Sequence, residues 1–409
     1  MNEMYRLLLG EPKKRYWMCN GNFVFQFVCL GVIGYVLYSC QMNQCESNEV
    51  QKIDIPTGSS THVLKLSEFA DDVECIPLET NDSTILDKII RIIDEGDYLY
   101  VADKHSLYKF DKFGKVCGKI TKEGVSHNEY IQISDFQVTA GGAVWILSRK
   151  NKCLYHFEWD GTLIHKIELN FWTSKIYLID DNTMLLYIGN EKDMNNSHQV
   201  RLLDLKSAHI KRNYLPVDDK KSSYMHVMSD NYFYRENDSI YFFQVFCDTV
   251  YSITKDTIAP KYFYNLADKN IPKSFFSVEY KNVMNFFQHL SKERYAYGIN
   301  FFLKSLNYSL MSYYYDGECY LSVISNNKGN SKIGNQISAD LVFSNYPITL
   351  NEQAVFLSPN QKLIITLIPD DIIEYARNTL DEKEQAILEN RINYSGSDQN
   401  VVLLKMKIK

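Results

Sequence analysis

No block of five or more basic residues occurs in the 409-residue sequence, so the electrostatic footprint of a nucleic-acid-binding protein is missing. Closely spaced cysteines are missing too. The nine cysteines stand at positions 19, 29, 40, 45, 75, 117, 153, 247 and 319, and beyond residue 45 no two lie closer than 36 residues. That spacing excludes a C-x-x-C metal or redox motif. It leaves a disulfide open in an oxidising compartment, with small, buried apolar side chains as the usual fate. The sequence also has no serine nucleophile elbow, no H-E-x-x-H, no Walker loop and no G-x-G-x-x-G. Glycine (18) and proline (9) are modest, and the formal charge is only −6.

What the sequence has is aromatic residues. Tyrosine (30) and phenylalanine (22) dominate a 14% aromatic content, which favours β structure because flat rings pack well on pleated surfaces. Two stretches then set the architecture. Residues 107–120 read LYKFDKFGKVCGKI and residues 154–167 read LYHFEWDGTLIHKI. They agree at Leu, Tyr, Phe, an acid, Gly, Lys and Ile, always 47 residues apart. Each reads as a strand, a tight acid-to-glycine turn and a returning strand, and a period near 45 is that of a four-stranded propeller blade.

The N-terminus reads as a targeting segment. Lys13, Lys14 and Arg15 precede an apolar run from Phe23 to Leu37, broken only by Gln26. The run ends in Leu37-Tyr38-Ser39-Cys40, which resembles a bacterial lipobox, in which the cysteine thiol takes a diacylglycerol before cleavage. Residues 1–39 are thus expected to be a lipoprotein signal peptide and Cys40 the lipid attachment site. The alternative is an uncleaved anchor helix, but spanning a bilayer takes about 20 apolar residues. Met4 or Met18 are alternative starts. Residues 40–60 are polar and read as a flexible tether. Beyond residue 39, 40 bases face 48 acids.

Residues 61–409 carry the β pattern. His62–Leu66 and Val73–Glu79 are expected strands, and Pro77 places the second at an edge. Pro272–Glu293 breaks the β rhythm with apolar residues at mostly helical spacing. A second helical insertion follows Pro369, with Thr379-Leu-Asp-Glu382 in capping-box form. Gly329–Gly334 reads as a polar loop, and Asp340–Phe343 as the first strand of a final blade. A ring must close or expose strand edges. Val401–Ile408 and the strands of residues 61–79 suit that role. The expectation is an all-β fold, a six-bladed β-propeller with short helical insertions, with five or seven blades as the alternative.

Between the two copies of the doublet lies Gly124-Val-Ser-His-Asn-Glu-Tyr130, followed by Asp135-Phe136. This resembles the NHL-like six-bladed propeller lipoproteins of Gram-negative gut-type bacteria, a largely uncharacterised family. Their first inter-blade loop reads Gly-x-Gly-Pro-Gly-Glu-Tyr and then Asp-Phe. Gly124, Glu129, Tyr130, Asp135 and Phe136 keep that pattern, while Ser126, His127 and Asn128 replace its Gly-Pro-Gly. Glu74-Cys-Ile-Pro-Leu-Glu79, Asp248-Thr-Val-Tyr251 and Asn400-Val-Val-Leu-Leu404 also match.

Candidate ligand-binding residues are Glu129, Tyr130 and Asp135. The competing reading makes Tyr130 a cap on a blade and Glu129 an acceptor of backbone N–H groups. Tyr313-Tyr-Tyr315 and Phe171-Trp172 could stack on sugars, or fill the gaps between blades. Asp71-Asp72, Asp218-Asp219 and Asp370-Asp371 are neighbours that do not share a face in helix or strand, so they read as solvated turns rather than metal ligands. His156 and His165 flank a turn. No catalytic residue and no metal ligand is assigned. The functional expectation is a non-enzymatic, lipid-anchored envelope protein, at the outer rather than the inner membrane, presenting a propeller face to a glycan, peptide or protein. The alternative is a hydrolase or lyase acting on sugar-derived substrates through one divalent cation, calcium, in the channel.

Overall fold

The computed structural model describes residues 50–57, 63–190, 197–219, 231–236, 239–297, 301–350, 355–358, 362–396 and 399–409. The expected signal peptide, Cys40 and most of the tether lie outside them.

Seven sheets form the propeller, one more than the six expected. Blade one is Arg91–Asp94, Tyr98–Ala102, Leu107–Asp111 and Val116–Ile120. Blade two is Asp135–Val138, Val144–Ser148, Cys153–Phe157 and Leu163–Glu168. The doublet is thus the outer hairpin of two successive blades. In each copy the turn glycine (Gly114, Gly161) has a positive φ, +85° and +84°. Asp111 fixes the first turn by accepting the backbone N–H groups of Phe113 and Lys115, both at 2.9 Å.

Blade three is Lys175–Asp180, Thr183–Tyr187, His198–Asp204 and His209–Pro216. Blade four is Phe233–Glu236, Ser239–Phe242, Thr249–Ile253 and Ile258–Asn265. Blade five is Phe302–Lys304, Tyr308–Tyr315, Glu318–Ser325 and Ser331–Gly334. Its last strand occupies what the sequence suggests is a polar loop.

Blade six accounts for the difference in number. Gln336–Ser338 and Pro347–Thr349 are three-residue strands, and the third strand is Val63–Lys65, running parallel to Gln336–Ser338. Each is too short to show alternation, and one comes from the far end of the chain. The expected strand Asp340–Phe343 is a turn whose Phe343 is buried. Blade seven joins both ends: Val355–Leu357, Lys362–Leu367, Val402–Ile408 and Ala70–Pro77, the last two antiparallel.

A further correction concerns the tether. Gln51–Asp54 is a strand, parallel to Ile258–Asn265 on the outer edge of blade four. It seats Ile53 and Ile55, both buried, which gives this otherwise polar stretch its hold.

Strands in the middle of the blades are buried on both faces, so they read as continuous apolar runs. Val144–Ser148 and Thr183–Tyr187 are examples. Apolar layers lie between neighbours: Tyr100, Phe136, Ile146 and Tyr155 between blades one and two, Trp145, Leu154, Met184 and Leu186 between two and three. Truncating a buried Phe such as Phe136 to Ala typically costs about 3–5 kcal/mol.

The first insertion is a short 3-10 turn, Lys273–Ser277, and a helix, Val283–Glu293, held by buried Phe286 and Leu290. The second is a helix pair, Pro369–Thr379 and Glu382–Arg391. Its capping box is made by Asp381 and Glu384 rather than by Thr379 and Glu382. Thr379 instead donates its hydroxyl to the Tyr375 carbonyl.

Candidate functional site

The loop after blade one is held by the residues the sequence singles out. The Glu129 carboxylate accepts the Ser126 N–H at 2.9 Å, and these loop hydrogen bonds hold its pKa below the usual range. The carboxylate lies against Gly124, where any Cβ would come within 2.0 Å of Glu129 Oε2. Gly124 and Glu129 are therefore one device. The Tyr130 ring is fully buried, its hydroxyl donates to the His105 carbonyl at 2.9 Å, and it accepts the Lys122 N–H at 3.2 Å. Burial pushes the phenol pKa well up.

Asp135 lies on the innermost strand of blade two. Its carboxylate accepts Arg91 Nη1 of blade one at 3.0 Å and the Ile176 N–H of blade three at 2.8 Å. One buried side chain thus ties three blades together. Gln137, two residues on, donates to the Ile176 carbonyl at 3.2 Å and accepts the Leu178 N–H at 3.3 Å. Asp94, on the inner strand of blade one, is held by Lys362 at 2.9 Å and Lys405 at 3.6 Å. Among the described residues no three His, Cys, Asp or Glu side chains come together in a way that could hold a metal ion.

Beside the loop that Glu129 and Tyr130 hold lies a cleft of about 380 Å³. Val125, Ser126, His127 and Ile131 form one side, with Val125 94% exposed. Asn151, Lys152, Cys153, Tyr155, Lys166 and Glu168 of blade two form the other. The Tyr155 hydroxyl accepts from Asn151 Nδ2 at 2.5 Å, and Asn151 Oδ1 has no hydrogen-bond partner. Lys166 is 3.6 Å from Glu168 and 5.5 Å from the centre of the Tyr155 ring. Lys152 reaches from the cleft to Trp172, 5.0 Å from its ring centre, and Arg149 lies 5.4 Å from the same ring. Burial raises the pKa of the Cys153 thiol.

Of the aromatic candidates, only Trp172 is exposed, at 37%. Tyr313 and Tyr315 are buried, and Tyr314 stacks on Tyr297 at 5.7 Å. Phe171 is buried with Arg201 over its face at 4.2 Å. His156 stacks on Trp145 at 4.3 Å, and His165 meets the same indole edge-on at 6.1 Å. Asp71, Asp72, Asp370 and Asp371 are exposed, and Tyr394 donates its hydroxyl to Asp370 at 2.7 Å.

The cleft brings together Lys152, Lys166, His127, Ser126 and Asn151, of which sequence reasoning named only Ser126 and His127, as departures from a family pattern. Lys166 carried a signal, because the doublet repeats it as Lys119. Lys152 and Asn151 carried none. The arrangement offers two ammonium groups, a hydroxyl and an amide beside an exposed indole, within a chain of net negative charge.

Comparison with solved structures supports the fold. A Bacteroides fragilis NCTC 9343 protein described as exported superposes with a TM-score of 0.69 at 18% identity, covering 88% of this chain and 100% of its own. A DUF4221-family protein from Bacteroides vulgatus ATCC 8482 gives 0.46 at 12% identity, covering 83% and 97%. Comparison with curated proteins gives no match. A family profile, the domain of unknown function DUF4934, matches residues 50–407, and the chain belongs to that family.

Proposed function

We propose that this protein is a non-enzymatic binding propeller, anchored in the bacterial envelope through lipid on Cys40, whose blade-two cleft takes an acidic glycan. The observation that carries this reading is the meeting of Lys152 and Lys166 in one cleft, with Trp172 exposed beside Lys152. Carboxylates on a sugar chain suit Lys152 and compete with Glu168, 3.6 Å away, for Lys166; hydroxyls suit Ser126, and the exposed part of the Trp172 ring adds apolar surface for sugar C–H groups. An outer-membrane position, with the polar residues after Cys40 serving as the spacer, completes the proposal.

Calorimetric titration of the full chain tests it, using galacturonic acid oligomers against neutral galactose oligomers of the same length. Saturable binding of the acidic set, weakened by added salt and by Lys152→Ala, is the expected outcome. Equal response to both sets would sink the reading. Lipid anchoring has its own test: incorporation of an alkyne-tagged fatty acid into the wild type and not into Cys40→Ala.

A further inference from the structure

Lys175 is a buried charge with nothing to pair with. It opens the first strand of blade three and is 6% exposed, and among the described residues its ammonium has no hydrogen bond and no ion pair. Lysines are almost never that buried unless paired, because taking a charge out of water is costly. Its Nζ is not one of the partnerless polar atoms that the fold seals from solvent, so a small ligand can reach it.

Its place in the fold sets the chemistry. The first strands of blades seven, one, two and three touch one another in succession, which puts them innermost, around the axis. Blades one, two and three open on Arg91, Asp135 and Lys175, so three charged residues stand at matching positions of successive blades. The Asp135 carboxylate is taken by Arg91 Nη1, at 3.0 and 3.3 Å, and by the Ile176 N–H at 2.8 Å. Arg91 is thereby neutralised and Lys175 carries the surplus positive charge. A surplus of that sign repels a divalent cation and attracts an anion.

The surroundings hold this charge in a fixed frame. Lys175 lies directly across from Tyr187 on the neighbouring strand, so the two side chains share the face of the sheet that packs on blade four. The Tyr187 ring is 4.2 Å from that of Tyr232, and its hydroxyl donates to Gln244 at 3.2 Å. The residue before Tyr232, Asn231, spans to blade seven: its Nδ2 donates to the Val355 carbonyl and its Oδ1 accepts the Leu357 N–H, both at 2.8 Å. A charge held in a rigid seam spends little ordering entropy when a ligand arrives.

We propose that Lys175 anchors an oxyanion site near the axis, where blade three meets blade four, and that the site takes a small oxyanion: a phosphate, or the carboxylate of a compact organic acid. It uses no residue of the blade-two cleft and stands or falls without it.

Thermal melting of the full chain tests this with two probes, inorganic phosphate and malonate, each against sodium chloride of equal ionic strength. At least one probe is expected to raise the wild-type melting temperature by about 2 °C or more. Lys175→Met is expected to abolish the rise, and the double variant Lys152→Ala, Lys166→Ala to keep it. Without probes, Lys175→Met is expected to melt no lower than the wild type, because it removes a buried charge and breaks no ion pair. A second measurement needs no variant: in acetic anhydride labelling read by peptide mass spectrometry, the active probe is expected to slow modification of Lys175 and not of exposed Lys328. No rise with either probe, an equal rise in Lys175→Met, or unchanged labelling of Lys175 overturns the proposal. A rise lost only in the double variant places the anion in the blade-two cleft and overturns it too. So does a lowered melting temperature in Lys175→Met, because the ammonium would then have a structural partner.

Discussion

Lys166 faces Tyr155 across two paired strands, with its ammonium 5.5 Å from the centre of the phenol ring. Blade one repeats the arrangement at the matching positions of the doublet, with Lys119 facing Tyr108 at 4.8 Å. A cation over an aromatic face, set on directly opposed strands, is a packing device worth roughly 0.5–1 kcal/mol at an exposed site. The surroundings then separate the two copies. Lys119 donates to the Ser83 carbonyl at 3.3 Å, whereas Lys166 lines the cleft. Lys166→Ala is therefore expected to weaken acidic-oligosaccharide binding by about tenfold, and Lys119→Ala to leave it unchanged. Calorimetric titration of both variants checks this. A loss of similar size in both would mean that the effect is packing, not recognition.

The doublet turns give a stability prediction. At Gly114 the φ is +85°, and a Cβ would come within 2.1 Å of the Pro77 carbonyl oxygen on the closing strand of blade seven. At Gly96 the φ is nearly the same, +83°, but a Cβ would meet nothing within 4 Å. Gly96→Ala is expected to cost only the conformational penalty, about 1 kcal/mol. Gly114→Ala adds a backbone collision and is expected to cost more than about 3 kcal/mol. Urea unfolding of the two variants compares them. Equal costs would show that the Pro77 strand moves aside freely.

Much of the fold was legible because the strongest signals were local. The doublet hairpins, the second blade strands and the two helical insertions rest on turns and periodicity that lie within about 15 residues of each other. The extra blade, blade six, was not, because Val63–Lys65 pairs with Gln336–Ser338 and neither strand is long enough to alternate. Gln51–Asp54 was missed for the same reason: it owes its place to a neighbour more than 200 residues away. The site was half legible. Glu129 and Tyr130 mark the loop that borders the candidate cleft, but both are used to hold that loop, and Asp135 is spent on Arg91 and Ile176. The groups left facing the cleft, Lys152 and Asn151 among them, come from a turn with no repeat and no motif.

Alkaline pH should destabilise this protein through its buried thiols and phenols. The ordinary thiol pKa is 9.0, and burial pushes Cys75 and Cys319 up to about 12. Buried tyrosines, Tyr130, Tyr155 and Tyr313 among them, are raised above 10.0 for the same reason. A raised folded pKa gives stability that is complete below the unfolded pKa and is lost as pH climbs from there to the folded value. Each thiol thus removes roughly 1.4 kcal/mol per pH unit between about pH 9 and 12, and the tyrosines join from about pH 10. Stability measured by urea unfolding is expected to be flat from pH 7 to about 9 and to fall steeply above it. With a thiol reagent at pH 7, exposed Cys117 should react well before Cys75 or Cys319. A flat profile through pH 11 would contradict the burial argument.

The inner strands decide how the ring responds to metal removal. A calcium ion in the channel would need six to eight oxygen ligands, with carboxylates among them. Three inner-strand acids are already engaged, Asp135 by Arg91 at 3.0 Å, Asp94 by Lys362 at 2.9 Å and Asp180 by Lys255. Chelator is therefore expected to leave the melting temperature unchanged, and metal analysis to find no stoichiometric divalent ion. Asp135→Asn is expected to act very differently. The Arg91 side chain is only 10% exposed, so the substitution strands a buried guanidinium without its counter-charge, at a cost of about 3–5 kcal/mol. Because Asp135 also accepts the Ile176 N–H, the loss should loosen blades one, two and three together, which hydrogen exchange on their inner strands would register. A chelator-sensitive melting temperature, combined with a mild Asp135→Asn, would reverse the assignment: the carboxylate would then be serving a cation other than Arg91, and the calcium-dependent hydrolase or lyase would become the working account.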